Sequence, residues 1–245
     1  MFFLVSHKFK FIMGWSAKCG CSSVKHWYLD VHGVDKSQLG MPVYKAIGYA
    51  NTQYTRLDWN KSGLYQDYRK YAVVRNPYSR VVSGFVNKYI IENRLPNYGW
   101  NTFNEFLQML AQDVEFKKVD THHFAPQFSE AYSSFERSGF QFDLVIKLEN
   151  LAEGLKLVSA HHGLREKPIG EENRTAYGES SRFYTNAADQ PIERFDLENI
   201  PPFQHFYDAS TIESVRTIYA KDFEHLEGNR VFYPVPGARC PVPDT

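Results

Sequence analysis

Residues 8–13 (KFKFIM) alternate polar and apolar positions and then run apolar, as a strand entering a sheet does. The next positions crowd together Gly14, Ser16, Lys18, Cys19, Gly20, Cys21, Ser22 and Ser23, after which Val24, Trp27 and Tyr28 recur at helical spacing. Ser22 and Ser23 are good N-cap types, so this part of the chain reads as strand, turn and helix. Residues 71–74 (YAVV) form a short β-branched run of the kind that sits in a buried parallel strand. Arg75-Asn76-Pro77 stops that run. Pro77 suits the first turn of a helix whose apolar face would be Val81, Val82, Phe85, Tyr89 and Ile90. Residues 102–111 read as an amphipathic helix with Phe103, Phe106, Leu107 and Leu110 inward, and 119–129 as a polar-aromatic loop. Residues 142–146 (FDLVI) are a further buried strand that turns, through residues 148–151, into a helix reaching about His161. Residues 163–209 are rich in Gly, Pro, Asn and charge; they predict long surface loops and a binding element. Residues 211–226 predict one closing helix, and the Pro-rich tail after Tyr233 an extended segment.

Alternating strands and helices predict an α/β fold with a central, mainly parallel sheet. The 245 residues, 43% hydrophobic and 16% aromatic, suffice for one sizeable core, so a single domain over 1–245 is expected. Lys plus Arg and Asp plus Glu number 28 each, so the net charge is zero and strong non-specific binding to nucleic acid is not expected. No apolar run is long enough to span a bilayer, and residues 1–5 are too short a run for a secretory leader. The cysteines are Cys19, Cys21 and Cys240, too few and too badly spaced for a disulfide framework or a metal set. These features predict a soluble, cytoplasmic protein with no metal.

A strand, loop and helix in succession aim backbone N–H groups and the positive end of a helix dipole at one place, which suits phosphate. The nucleoside-triphosphate form of such a loop is G-x-x-x-x-G-K-[ST]. Here Lys18 precedes Gly20 and Cys21 follows it, so no lysine takes the position on the β- and γ-phosphates, and a kinase or GTPase is disfavoured. A second anion-binding pattern pairs an arginine at a strand end, Arg75, with Ser83 in the following helix. Ligands of parallel sheets sit at the carboxyl ends of strands, so both loops could face one crevice and a ligand with two separated anionic groups.

Together these residues resemble the sulfotransferases that use 3′-phosphoadenosine 5′-phosphosulfate (PAPS), and among them the carbohydrate, family 2-like group. "KCGCSSVK" from Lys18 is similar to their P-K-V-G-C-[TS]-x-x-K loop, with Ala17 for the proline. "RNPYSRVVSGF" from Arg75 matches R-[DN]-P-x-x-R-x-x-S-x-[FY] at every defined position. "HFAPQ" from His123 resembles H-W-x-P-Q, "FDLVIKLENL" from Phe142 their strand with a Glu-Asn turn, and "YAKDFEHL" from Tyr219 their closing helix. The membrane anchor of the Golgi members and their cysteine after H-W-x-P-Q have no counterpart here, so the chain looks like a soluble, bacterial-type relative.

The resemblance implies a P-loop-like three-layer fold and PAPS as co-substrate, with no metal required. It implies a 5′-phosphosulfate loop of Lys18, Cys19, Gly20, Cys21, Ser22 and Ser23, and a 3′-phosphate site of Arg75, Ser83 and Arg80. Lys18 would stabilise charge on the bridging oxygen as the sulfuryl group leaves. The acceptor, a saccharide or small hydroxylated metabolite, must lose a proton. His123 is the candidate base, with His122 as its neighbour and rival, and His26, His32, Asp30 or Asp58 as alternatives between the two motifs. Lys25 and Arg80 could instead be helix-surface charges, and Glu149 a capping or orienting residue. "LPNYGW" (95–100) and "RFYTN" (182–186) could stack on sugar faces or be core or lid. The alternative function is a non-catalytic phosphonucleotide-binding protein on the same scaffold.

Overall fold

In chain order the strands are β1 (Phe2–Ser6), β2 (Phe11–Trp15), β3 (Arg69–Val74) and β4 (Leu144–Lys147). The helices are α1 (Cys21–Val31), α2 (Val43–Ala46), α3 (Pro77–Phe85), α4 (Phe103–Gln112), α5 (Thr121–Phe124), α6 (Leu151–His161), α7 (Ala209–Ile218) and α8 (Ala220–Gly228). The computed structural model describes residues 1–34, 40, 42–47, 65–94, 99–113, 115–128, 132, 136–137, 139–166, 169 and 186–237. The chain divides into two compact units, Met1–Arg75 with Pro126–Arg174, and Asn76–Ala125 with Thr175–Thr245. No helix among the described residues is long and apolar enough to cross a membrane.

The first unit holds the sheet, in order β1-β2-β3-β4. β2, β3 and β4 are parallel, and β1 is antiparallel to β2, with Phe2 opposite Trp15 and Ser6 opposite Phe11. The expected α/β class with a mainly parallel sheet is therefore what forms. β1 has no counterpart in the sequence reading; its run is apolar up to Ser6, and it becomes a strand by pairing along β2. The strand expected at 8–13 is displaced to Phe11–Trp15 because residues 7–10 make the β1–β2 turn, with Lys10 left-handed at φ 57°.

Alternation decides what each face packs against. Phe11, Met13 and Trp15 of β2, Tyr71 and Val73 of β3 and Ile146 of β4 form one core with Val24, Trp27 and Tyr28 of α1 and Leu155 and Val158 of α6. α6 lies so close to β4 that a Cβ at Gly154 would meet Ile146 Cγ2 at 2.3 Å. Toward the other face, a Cβ at Gly14 would meet Met1 Sδ at 2.7 Å and Phe142 at 3.4 Å. The three parallel strands end side by side, Val74 opposite Lys147 and Gly14 opposite Ala72, which brings residues 16–20, Arg75 and the 3₁₀ turn Leu148–Asn150 to one edge of the sheet.

The second unit is helical around an aromatic core. α3 starts where Pro77 predicts, with the Asn76 side chain accepting from the Tyr78 N–H at 3.0 Å. It continues as a π-helix over Val86–Ile91, which the sequence pattern does not foretell. α4 carries a capping box between Thr102 and Glu105. Phe85 lies against Tyr89, Trp100, Phe103, Phe106 and Phe206. A Cβ at Gly84 would meet the Phe124 ring at 2.7 Å.

Two expectations are corrected here. The closing helix is not continuous: it breaks at Tyr219 (φ −111°, ψ 28°), whose buried hydroxyl donates to the Phe124 carbonyl at 2.8 Å. Residues 186–209 are not open surface loop. They form short 3₁₀ turns at Ala187–Asp189, Ile192–Arg194 and Phe203–Phe206, and Ala187, Ala188, Ile192, Phe195, Ile200 and Phe206 are core residues. Trp100 is likewise core, stacked edge-on with Tyr89. Residues 95–98 and 182–185 of the two aromatic stretches, together with 170–181, lie outside the described residues.

Candidate active site

The turn after β2 is built by backbone conformation. The Cys19 N–H donates to the Ser16 carbonyl at 3.2 Å, and Lys18 (φ 64°) and Gly20 (φ 67°) are both left-handed. For a lysine that conformation costs about 1–3 kcal/mol, which the surrounding contacts must offset. Glycine is required at position 20 for a second reason: a Cβ there would meet Leu148 Cδ1 at 2.6 Å. Gly20 is the N-cap of α1, and no side chain caps the helix. Ser22 and Ser23 are therefore not caps as expected. The left-handed glycine starts the helix at Cys21 and carries both serines into its first turn, the end at which backbone N–H groups point out of the helix. No acidic residue lies in that turn, so the positive end of the dipole is uncompensated by a local carboxylate. Consecutive left-handed and helical residues of this kind form a concavity of N–H donors suited to an anion. Neither Cys19 nor Cys21 is in a disulfide, and Cys19 is buried.

Arg75 follows β3 directly, and its Nη1 donates to the Lys18 carbonyl at 3.0 Å. The Gln127 side chain holds the Arg75 backbone from both sides: Oε1 accepts the Arg75 N–H at 2.8 Å and Nε2 donates to the Arg75 carbonyl at 2.8 Å. The same Oε1 accepts the Cys19 thiol at 3.0 Å, and the Gln127 carbonyl accepts the Ser16 hydroxyl at 3.4 Å. Gln127 closes the HFAPQ stretch, but nothing in the local pattern marks it as the tie between the turn and the strand end. Lys25 is not the helix-surface charge considered above. It is 6% exposed, its Nζ lies 3.8 Å from the Trp15 ring centroid, and burial lowers its pKa, with Cys21 opposing.

In the helical unit, Arg80 and Ser83 lie one turn apart on α3 and are 2% and 4% exposed. Arg80 is thus no surface cation; its charge acts on the buried phenol of Tyr219, which burial holds well above the usual range.

His123 ends in a charged network at α5. Its Nδ1 lies 2.8 Å from Asp120 Oδ2. Arg94 reaches the same carboxylate oxygen at 3.7 Å and Glu92 at 2.7 Å, and Glu92 also pairs with Lys88 at 2.8 Å from the π-helix. Burial, only partly offset by the Asp120 carboxylate, pushes the His123 imidazole down to about 4. Burial opposes ionisation of Asp120, but His123, Lys88 and His122 together hold its carboxyl below the ordinary value. At neutral pH the ring is neutral. Nδ1 lies close to that carboxylate but not in hydrogen-bonding geometry, and a neutral ring is the form that can accept a proton. The exposed His122 ring lies beside it, 5.0 Å between centroids.

The alternatives between the motifs fare differently. Both nitrogens of His32 are engaged, Nε2 with the Ser6 hydroxyl at 2.9 Å and Nδ1 with the Tyr28 carbonyl at 2.7 Å. Asp30 lies at the far end of α1, roughly 13 Å along the axis from its first residue. His26 is half-buried in mid-helix, and Asp58 is outside the described residues. Glu149 is an exposed residue of the Leu148–Asn150 turn. Asp120, Lys88, Glu92 and Arg94 are site neighbours that sequence reasoning missed. The D-x-x-H and K-x-x-x-E spacings were visible, but which pairs meet depends on the π-helix.

Comparison with protein families gives a match to the sulfotransferase family model over residues 2–227. The chain belongs to the sulfotransferase family. The mostly parallel sheet with an anion-type turn after β2 is this family's P-loop-like fold, and the activity that goes with it is sulfuryl transfer to an acceptor. A search of curated proteins finds no match to this sulfotransferase.

Proposed function

We propose that this sulfotransferase moves the sulfuryl group of PAPS to a hydroxyl, or an amine, of a carbohydrate acceptor. The observation that carries the reading is the turn after β2: two left-handed residues open onto an uncapped helix whose first turn holds no acid, with a lysine in the turn and an arginine bonded to its carbonyl. In this reading Lys18, Cys19, Gly20, Cys21, Ser22 and Ser23 hold the 5′-phosphosulfate, and Arg75, Arg80 and Ser83 the 3′-phosphate. The acceptor oxygen attacks sulfur, the bond from sulfur to the 5′-phosphate oxygen breaks, and adenosine 3′,5′-bisphosphate leaves. Lys18 neutralises the charge that grows on the departing oxygen. His123 takes the acceptor proton as the new bond forms, a role its neutral ring allows.

Calorimetric titration tests the donor. Adenosine 3′,5′-bisphosphate and PAPS should bind, and ATP much more weakly. Adenosine 5′-phosphosulfate, which lacks the 3′-phosphate, should also bind much more weakly. Equal affinity for that last ligand would remove the 3′-phosphate site, and with it the PAPS assignment.

A further inference from the structure

Two segments converge on Gln127, whose carboxamide is buried. Ser16 and Cys19 come from the turn after β2, Arg75 from the end of β3, and Gln127 from a stretch 108 residues beyond Cys19. Gln127 is fully buried. The orientation of its amide is dictated by chemistry, because a backbone N–H can only donate and a backbone carbonyl can only accept. Oε1 must therefore face the Arg75 N–H and Nε2 the Arg75 carbonyl. That leaves Oε1 a second lone pair, which takes the Cys19 thiol proton. Arg75 in turn bonds the carbonyl of Lys18. The Lys18–Cys19 peptide is thus held twice, at its carbonyl by Arg75 Nη1 and through the Cys19 side chain by Gln127, and the two holders are bonded to each other. This closed ring includes Lys18, a left-handed residue that is not glycine.

We propose that Gln127 is a positioning residue for the sulfuryl-donor site, and that Cys19 serves it as an obligate hydrogen-bond donor, the pair keeping the lysine turn and Arg75 in one fixed relation. Gln127 touches neither donor nor acceptor in this account; it acts through Arg75 and Cys19. Cys19 must stay protonated and reduced to donate, so any substitution that fills its space without a donor breaks the ring on one side only.

The proposal rests on the PAPS reading, and its test keeps the two apart. Adenosine 3′,5′-bisphosphate binding would be measured by calorimetry for the wild type, Gln127→Met, Cys19→Ala and Cys19→Ser, beside amide hydrogen exchange of residues 16–24 in the ligand-free proteins. Gln127→Met should weaken binding by about tenfold or more, the worth of one to three lost hydrogen bonds. Cys19→Ala, a milder change that leaves the carboxamide in place, should weaken it by about threefold to tenfold. Cys19→Ser, whose hydroxyl can donate to the same oxygen, should recover most of that loss. Exchange in residues 16–24 should quicken in the same order, and KM for PAPS should rise more than kcat falls. A purely structural Gln127 would instead lower the melting temperature while the folded variants kept wild-type affinity and exchange, and that result overturns the proposal. Failure of Cys19→Ser to recover what Cys19→Ala loses overturns the donor role of the thiol. If the wild type itself does not bind the bisphosphate, the PAPS reading falls and the proposal with it, whatever the exchange rates show.

Discussion

The lysine turn after β2 and the histidine turn at α5 hold their side chains in opposite ways. Around Lys18 the means are conformational: two left-handed residues, an open helix end, and neutral hydrogen bonds from Cys19 and Gln127 beside one from Arg75. Around His123 the means are electrostatic: burial first, then the charges of Asp120 and Lys88, act on a half-buried imidazole, with Arg94 and Glu92 paired to those partners. The first arrangement should be intolerant of changes in shape and indifferent to pH near neutrality. The second should tolerate isosteric change in its partners but respond to their charge. The proposed reaction, which binds two phosphates and moves one proton, has use for both.

The largest effect that separates the two regions is on turnover. His123→Ala should lower kcat by roughly 10²–10⁴-fold, the usual worth of general base catalysis, with affinity for adenosine 3′,5′-bisphosphate nearly unchanged. Near-normal turnover in a folded variant would pass the role to His122 or to another group. Arg75→Ala should do the reverse, weakening bisphosphate binding by about 1.5–3 kcal/mol, or roughly tenfold to 150-fold, because it removes a charge-assisted contact. Calorimetry on the two variants side by side decides whether binding and proton transfer are divided as described.

Charge dependence comes next in size. The unfolded histidine titrates near 6.5 and the folded one at about 4. A neutral ring is needed to accept a proton, so kcat/KM should stay level from neutrality to about pH 5 and fall as the ring protonates around 4. Between the two values the unfolded chain binds the extra proton, so the stability contributed by the neutral ring is present above about 6.5 and is lost as pH drops through about 4. His32 and His162, both lowered by burial first, add to the same acid-side loss. Asp120→Asn removes the anion that favours the protonated ring, so the acid limb of the rate profile should move to lower pH. A limb that stays in place would mean that the carboxylate does not act on the base. The smallest effect belongs to shape. Gly20→Ala should cost about 1–3 kcal/mol of stability, read from chemical unfolding, because alanine must adopt a positive φ and meet Leu148.

The same contrast explains what could be read from the sequence. The strand, turn and helix at residues 11–31 and the helix at Pro77 were legible because their causes are local: apolar periodicity, a proline at N1, glycine in a turn. Arg75 and Lys18 stood out by spacing, and the structure brings them together through the Lys18 carbonyl. Less local features were misread. Ser22 and Ser23 look like caps until the left-handed Gly20 starts the helix earlier. Residues 186–209 look like loop because Pro, Asn and charge dominate, yet every few positions an apolar side chain reaches a core that composition does not reveal. Lys25 looks like a surface cation because its burial depends on Trp15, at the end of the preceding strand. The ties made by Gln127 join residues whose separation in sequence carries no period at all, and the helical pairs Asp120–His123 and Lys88–Glu92 are linked only through Arg94, which no local spacing connects to Asp120.

The central claim, that the lysine turn serves sulfuryl transfer and does not merely bind a phosphonucleotide, is tested most directly by product analysis. Wild-type protein and Lys18→Ala would each be incubated with saturating labelled PAPS and a panel of saccharides, and the products analysed by mass. The account predicts an acceptor that gains one sulfuryl group in step with release of adenosine 3′,5′-bisphosphate. It also predicts a rate in Lys18→Ala lower by about 10²–10³-fold, comparable to loss of one transition-state donor elsewhere. Tight bisphosphate binding with no sulfated product from any acceptor, or turnover in Lys18→Ala equal to wild type at saturating PAPS, would contradict it.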